Sequence, residues 1–338
     1  MLTAEERQAR LLKIQRLRTG AAPRVLELCS GCGGLSLGLK SAGFELTAHV
    51  EKDEEAAETY ALNFASEQTT AEWAAARDMV ECSPGELVRS LGFDTPTSGS
   101  FDIVAAGLPC QAFARIGRSK LRAVAGGEED AFQKDARASL YIQFLEYVSE
   151  TQPLAIIVEN VPDILNFGGR NVPEEICETL ERKGYRTAYT LLNSAYYGVP
   201  QVRERFFLVA IADDLDVAPA FPEPTHFLNL PRGYEGSRQV ALKHVPAGGE
   251  RFQPLHQPSP DLPEAVGTRD ALDDLPLIKE HVAAPHVIRR RKVSDRLPYR
   301  KQPVSAYATA MRTWEEFGTE ADVDGNVVRL TPRDFRIF

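Results

Sequence analysis

From Arg24 onward, short apolar runs alternate with stretches of helical spacing. The runs Val25–Cys29, Leu46–Val50, Phe101–Ala106, Leu154–Val158, Thr187–Leu192 and Phe206–Ile211 read as strands. Between them, Asp53–Phe64 is apolar at 56, 57, 60, 61 and 64, and Ser139–Val148 at 140, 141, 144, 145 and 148. Each spacing lines one face of a helix with apolar side chains. Strands and helices in alternation predict an α/β fold, a mostly parallel sheet covered on both faces, with ligands at the carboxyl ends of its strands. Ahead of the sheet, within residues 1–20, Leu11, Leu12, Ile14 and Leu17 stand among Arg7, Arg10, Lys13, Arg16 and Arg18. This predicts a short amphipathic helix with a basic face, docked as a cap. Beyond Ile211 the pattern breaks down. Residues 213–285 are rich in proline, glycine and charge with only short apolar patches, which sets an expected domain boundary near 212, between a scaffold over 1–212 and a loop-rich region over 213–338.

Composition narrows the class. With 338 residues, 43% of them hydrophobic, the chain can bury one large core and a smaller one. No apolar stretch approaches the ~20 residues a bilayer span needs. The segment Met1–Arg7 is charged and lacks a signal-peptide core, so a cytoplasmic chain with no membrane partner is expected. Cys29, Cys32, Cys82, Cys110 and Cys177 are odd in number and irregularly spaced, as in a reducing compartment. Cys29-x-x-Cys32 has no second Cys or His pair at ligand spacing, so no metal is expected. The net charge of −9 excludes a uniformly cationic surface. Local fields matter more than the total, and Arg289, Arg290, Arg291 and Lys292 form a basic cluster that continues through Arg296, Arg300 and Lys301.

Four segments carry chemistry. Cys29-Ser30-Gly31-Cys32-Gly33-Gly34-Leu35 follows the first strand and opens a helix, a place where glycines let a backbone approach a ligand closely. Glu51 ends the second strand, where a carboxylate accepts hydrogen bonds from ribose hydroxyls; Asp78 is placed to accept from an adenine amino group. Nicotinamide and S-adenosylmethionine cofactors fit this pair equally. Gly107-Leu108-Pro109-Cys110-Gln111 follows the third strand, and Glu159-Asn160 ends the fourth. A cysteine and a carboxylate so delivered suit nucleophilic attack on a ring with acid assistance. Gln201-x-Arg203-x-Arg205 enters the last strand, and alternation predicts that these three side chains share one face. Guanidiniums entering a buried strand call for carboxylates, phosphate or a polar base edge.

In content and in order these motifs resemble the C5-cytosine-specific DNA methyltransferase family. The resemblance covers residues 24–212 and includes Asp135–Leu140. It implies a Rossmann-like S-adenosylmethionine-dependent methyltransferase sheet with a smaller, loop-rich target-recognition domain. It also implies S-adenosyl-L-methionine as cofactor, S-adenosyl-L-homocysteine as product and duplex DNA as partner. Cofactor contacts fall by resemblance on Cys29, Ser30, Gly31, Gly33, Gly34, Leu35, Glu51, Lys52, Asp78, Met79, Gly107, Pro109 and Leu140. The implied catalytic set is Cys110 attacking carbon 6 of cytosine, Glu159 sharing a proton with ring nitrogen 3, Arg203 holding Glu159 and the base, Arg205 as the more structural partner, and Asn160 orienting the loop. The target base must then be flipped from the helix. DNA contacts are expected from Gln111, Gln201, Arg289, Arg290, Arg291 and Lys292.

The chain departs from the family at Cys29, where an aromatic is usual. It also departs after residue 212, where nothing matches the family's closing segment. The expectation is therefore a partial recognition region over 213–338, with a C-terminal extension or a separate subunit completing the cofactor pocket. The role expected is host modification in a restriction-modification or phage-defence setting. The alternatives are the tRNA-methylating branch of the family, a methyltransferase-fold subunit inactive without a partner, and a dehydrogenase, for which no residue supplies hydride chemistry.

Overall fold

All six apolar runs form strands, and they lie in one sheet: β1 (Arg24–Leu28), β2 (Glu45–Val50), β3 (Ile103–Ala106), β4 (Ala155–Asn160), β5 (Tyr185–Asn193) and β6 (Glu204–Ala212). The structure is a computed structural model that describes residues 3–66, 69–109, 136–167, 169–230, 233–246, 248–276, 296–319 and 321–323, with side chains from 140 in the third segment. The strand order is β2-β1-β3-β4-β6-β5. The first four run parallel, and β6 is antiparallel to both its neighbours. Pairing aligns Val50 with Leu28, Leu28 with Ala106 and Ala106 with Val158, so all four parallel strands reach the same line. Glu51, Cys29, Gly107 and Glu159 are the residues immediately beyond it.

Alternation along β1 and β3 feeds two cores. Leu26, Leu28, Val104 and Ala106 pack with Tyr141, Phe144, Leu145, Tyr147 and Val148 of α4 (Ala136–Thr151). Val25, Ile103 and Ala105 face the other way, onto Leu39 of α2 (Gly34–Ser41). A sheet covered on both faces is what continuous apolar runs require, and each fully buried Leu or Phe contributes about 1.5–3 kcal/mol. The helix α3 (Glu54–Phe64) is capped by Asp53, whose side chain accepts from the amide of Ala56 at 2.9 Å.

The N-terminal helix α1 (Ala4–Arg18) forms where expected, with a Thr3/Glu6 capping box; Ile14 and Leu17 of its apolar stripe meet the core, but Leu11 and Leu12 turn outward and Arg10 and Lys13 inward. Its buried residues are Ala9, Arg10, Lys13 and Ile14, whereas Leu11 and Leu12 are 47% and 56% exposed. The reason is a set of helix C-termini beneath it. Lys13 Nζ donates to the carbonyls of Thr151 (2.6 Å) and Gln152 (3.0 Å) at the end of α4. Arg10 donates to Gly184 (3.0 Å) and Lys183 (3.2 Å), just past α5 (Val172–Arg182), and its guanidinium lies over the Tyr185 ring. The last carbonyls of a helix lack intrahelical partners and carry partial negative charge, so cations satisfy them better than leucines can. Burial, opposed by the attraction of Asp102 and aided by the weaker repulsion of Arg24, Arg10 and Arg16, pulls the Lys13 ammonium down to about 7.

By packing, the chain groups into two units: Met1–Asn193 with Glu204–Glu223 and Leu230–Gln257, and Ser194–Arg203 with Pro224–Asn229 and Pro258–Phe338. The first contains the sheet and also α6 (Tyr234–Leu242), which packs over the turn Pro162–Asn166 after β4. In the second, α7 (Ala306–Arg312) delivers Arg312 to Asp274 in a buried ion pair at 2.6 Å. No helix among the described residues is long and apolar enough to cross a membrane.

Candidate active site

The turn after β1 is built on left-handed backbone. Cys29, Gly31 and Gly33 have φ of 53°, 54° and 88°. At Gly33 a side chain is also excluded by contact, because a Cβ would stand 2.2 Å from the Phe64 ring and 2.9 Å from Tyr60. The faces of Gly31 and Gly34, by contrast, meet no atom within 4 Å. Glu51 orients this cradle: one carboxylate oxygen accepts from the amide of Gly31 (2.8 Å), the other from that of Asp53 (2.9 Å). Ser30 is buried and shares a hydrogen bond with His49 at 3.3 Å. Leu35 packs into the second core. Burial first, then the charges of Glu51, Asp78 and Glu27, push the Cys29 thiol up to about 12, which keeps it protonated near neutral pH.

Lys52 and Asp78 form an ion pair beside the cradle; Lys52 is 76% exposed on its side chain and Asp78 15%. Against a desolvation penalty, hydrogen bonds from Lys52 and the amide of Val80 hold the Asp78 carboxyl below its ordinary range. Met79 lies within the hydrophobic core at 2% exposure, and Leu140 packs against the same core. The amide of Gly107 donates to Leu28 at 3.1 Å, and a Cβ at Gly107 would approach Cys29 O to 3.3 Å. Pro109 is exposed. Cys110, Gln111, Arg289, Arg290, Arg291 and Lys292 lie outside the described residues.

At the end of β4 the two motif residues divide their tasks. Asn160 is 3% exposed; its Nδ2 donates to Leu108 O (2.8 Å), while its Oδ1 accepts from the amide of Val161 (2.8 Å). It thereby ties β4 to the segment that leads to Cys110. Glu159 points to the half-exposed face, where Arg205 Nε stands 3.0 Å from its Oε1. The guanidinium paired with Glu159 is thus that of Arg205, not the expected Arg203. The cause is where β6 begins. Period-two alternation governs Arg205 and Phe207, and Phe207 is directly opposite Glu159. Gln201 and Arg203 precede the strand, in a loop assigned to the other unit, and both are exposed.

The structure adds residues that motif reading passed over. Glu27, in the middle of β1, is 2% exposed and accepts from Ser36 Oγ, which shares a 2.7 Å hydrogen bond with Tyr60 OH. Burial, opposed by the Ser36 hydrogen bonds and aided by Glu51, raises the Glu27 carboxyl to about 7. A lone carboxylate inside Arg24-Val-Leu-Glu-Leu28 is visible in the sequence, and an unpaired charge there is costly enough to have called for a partner. Arg238 of α6 pairs with buried Glu204 at 3.4 Å; a pairing at that separation leaves no local pattern to read.

The model of the family described as "C-5 cytosine-specific DNA methylase" matches residues 23–276. A protein of Oceanobacillus iheyensis that carries a type II methyltransferase name is 33% identical over 324 residues, covering 94% of this chain and 66% of the relative. Type II methyltransferase M.AgeI of Thalassovita gelatinovora is 28% identical, with 86% and 57% covered. DNA (cytosine-5)-methyltransferase 1 of Rattus norvegicus is 29% identical, with 82% and 16% covered. Among solved structures, a prophage-encoded DNA modification methyltransferase of E. coli is 26% identical at a TM-score of 0.44, covering 60% of this chain and 53% of that one. The chain spans two thirds or less of the length of each of these relatives. The family match takes in the whole sheet, the glycine cradle and the Glu159–Arg205 pair, and on it the chain belongs to the C-5 cytosine-specific DNA methylase family.

Proposed function

We propose that the protein moves a methyl group from S-adenosyl-L-methionine to carbon 5 of cytosine in duplex DNA and releases S-adenosyl-L-homocysteine. The observation that carries this reading is the Glu159–Arg205 pair at the end of β4, joined through Asn160 to the segment that precedes Cys110. The open faces of Gly31 and Gly34 fit a cofactor laid against the turn, and Glu51, held by two amides, fits its ribose hydroxyls. Asp78 would accept from the adenine amino group, with its exposed partner Lys52 free to turn aside. When bound there, S-adenosylmethionine supplies an electrophilic methyl.

Carbon 5 of cytosine is a weak nucleophile. Attack of the Cys110 thiolate on carbon 6 makes the ring electron-rich at carbon 5, with Glu159 sharing a proton with ring nitrogen 3 as charge develops. Arg205 keeps the Glu159 carboxylate aimed, and Arg203 would meet the ring oxygen. After carbon 5 gains its methyl, loss of its proton re-forms the double bond and expels the cysteine. The target nucleotide must leave the stack to reach such a pocket. Arg289–Lys292 would contact phosphates, and a restriction-modification role fits the type II names of the relatives.

Duplex DNA bearing 5-fluorocytosine tests the reading, because fluorine does not leave as a proton does. A covalent protein–DNA adduct is expected from the wild-type protein and none from Cys110→Ser. Adduct formation by the serine variant would assign the attack elsewhere. Methylation of tRNA and not of DNA would move the substrate class.

A further inference from the structure

The loop Ser194–Arg203 carries Gln201 and Arg203; its first turn is anchored by buried Ala195 and Tyr196, and its tip is the exposed part. Four hydrogen bonds close the loop on itself and shape its tip: Ser194 N to Arg203 O (2.9 Å), Val199 N to Ser194 O (3.2 Å), Gln201 N to Val199 O (2.7 Å), and Ser194 Oγ to Gln201 O (2.6 Å). Val199 and Val202 are 43% and 41% exposed, so the tip buries little apolar surface. Against this loop lies a strap, Pro224–Asn229, of the same unit. The amides of Thr225 and His226 both donate to Tyr196 O at 2.9 Å. On its far side, Phe227 N donates to Pro263 O and accepts at its own carbonyl from Ala265 N, each at 2.8 Å.

The contact between strap and loop is specific in shape. Gly198 has φ +78°, and the imidazole of His226 covers its face. A Cβ at 198 would stand 2.8 Å from His226 Cε1 and 3.3 Å from each ring nitrogen. Thr225 Oγ1 and His226 Nδ1, 2.9 Å apart, fix the ring's rotation. A flat ring on a bare glycine allows an approach that no branched side chain can match, and the strap passes that placement on to residues 263–265.

We propose that His226 is a positioning residue: its ring, seated on Gly198, sets the conformation in which Gln201 and Arg203 meet the target nucleotide. The proposal rests on the methyltransferase reading above. It also makes the strap the link through which residues 263–265 fix the arginine-bearing loop.

The test compares His226→Ala, His226→Phe and His226→Leu in the full-length protein. In the Ala and Leu variants, hydrogen exchange at the Val199 and Gln201 amides should speed up. Their kcat should fall on the order of tenfold to a hundredfold, as loss of alignment does, with the KM for S-adenosylmethionine unchanged. The Phe variant keeps a flat ring and should stay within a few-fold of wild type in both readouts. Ala within twofold of wild type, or Leu rescuing as well as Phe, overturns the proposal. So does a parallel loss of cofactor binding in all three, which would mark general fold support. A wild-type protein that methylates no DNA would defeat the methyltransferase reading alone. The exchange pattern would then still decide whether the ring holds the loop.

Discussion

Two regions of this molecule aim polar side chains in different ways. At the carboxyl end of the sheet, Cys29, Glu51, Gly107 and Glu159 each stand one residue past an aligned row of paired strand residues. Their placement is inherited from strand register, and register is fixed by two buried faces. In the loop Ser194–Arg203 the β5–β6 ladder reaches only to Arg203, whose carbonyl accepts from Ser194 N; Gln201 and the turn around it depend on a few hydrogen bonds and on one ring seated on one glycine. Register-set residues resist local change and fail by chemistry when mutated. Loop-set residues fail by displacement, from substitutions that never touch them.

The largest effect expected from this contrast is at Glu159. Glu159→Gln keeps the side chain's shape and should lower kcat by about 10²-fold or more, the usual scale for a proton-transfer group, with the fold intact. Gln201→Ala should cost only a few-fold in kcat/KM, mainly through the KM for DNA. Steady-state kinetics giving both variants equal losses would erase the distinction. Next is Glu51→Ala, which should weaken S-adenosylmethionine binding by about 1.5–3 kcal/mol, read by calorimetry. Unchanged affinity would remove the carboxylate from the cofactor site. Asn160→Ala leaves the buried Leu108 carbonyl without its partner and should lower unfolding free energy by about 1–3 kcal/mol in urea melts. A loss of activity with full stability would show that the bond acts in catalysis alone.

The smallest effect is a slope in pH. Glu27 is raised from its ordinary value of 4.5 to about 7, so the folded protein holds a proton that the unfolded chain releases. The stability this contributes is complete below pH 4.5 and is lost as pH rises through about 7. Denaturation at pH 5 and pH 8 should show a smaller difference for Glu27→Gln than for wild type. An unchanged difference would place the titration elsewhere.

The sheet was legible because its signal is redundant. Six apolar runs, two helical spacings and the chain order of motifs all agree, and each strand is found within a few residues of its expected bounds. Helix α1 was legible as a helix but not in its orientation. Its sequence pattern offers Leu11, Leu12, Ile14 and Leu17 as the apolar stripe; Ile14 and Leu17 meet the core, and only the tertiary placement of the carbonyls of Thr151, Gln152, Lys183 and Gly184 turns Arg10 and Lys13 inward in place of Leu11 and Leu12. Within the site, Glu51, Asn160 and Glu159 could be placed because each ends an apolar run. The exchange of Arg203 for Arg205 at Glu159 could not be foreseen, since it turns on the exact residue at which β6 begins. Pairs such as Glu204–Arg238 and Gly198–His226 join residues about thirty positions apart, beyond any periodicity.

The aligned row of strand ends also governs how this gene can change length. Residues inserted beyond Val50, Leu28 or Ala106 lengthen loops at modest entropic cost and leave the sheet untouched, whereas β4 stays paired with β6 through Asn160 and gains that freedom only after it. A single codon lost within β4 reverses the facing of every later residue in it, sending Glu159 inward and Asn160 out. Deletion scanning should therefore find sharp intolerance up to the row and tolerance that returns within a few residues past the motifs, a length record written by strand pairing.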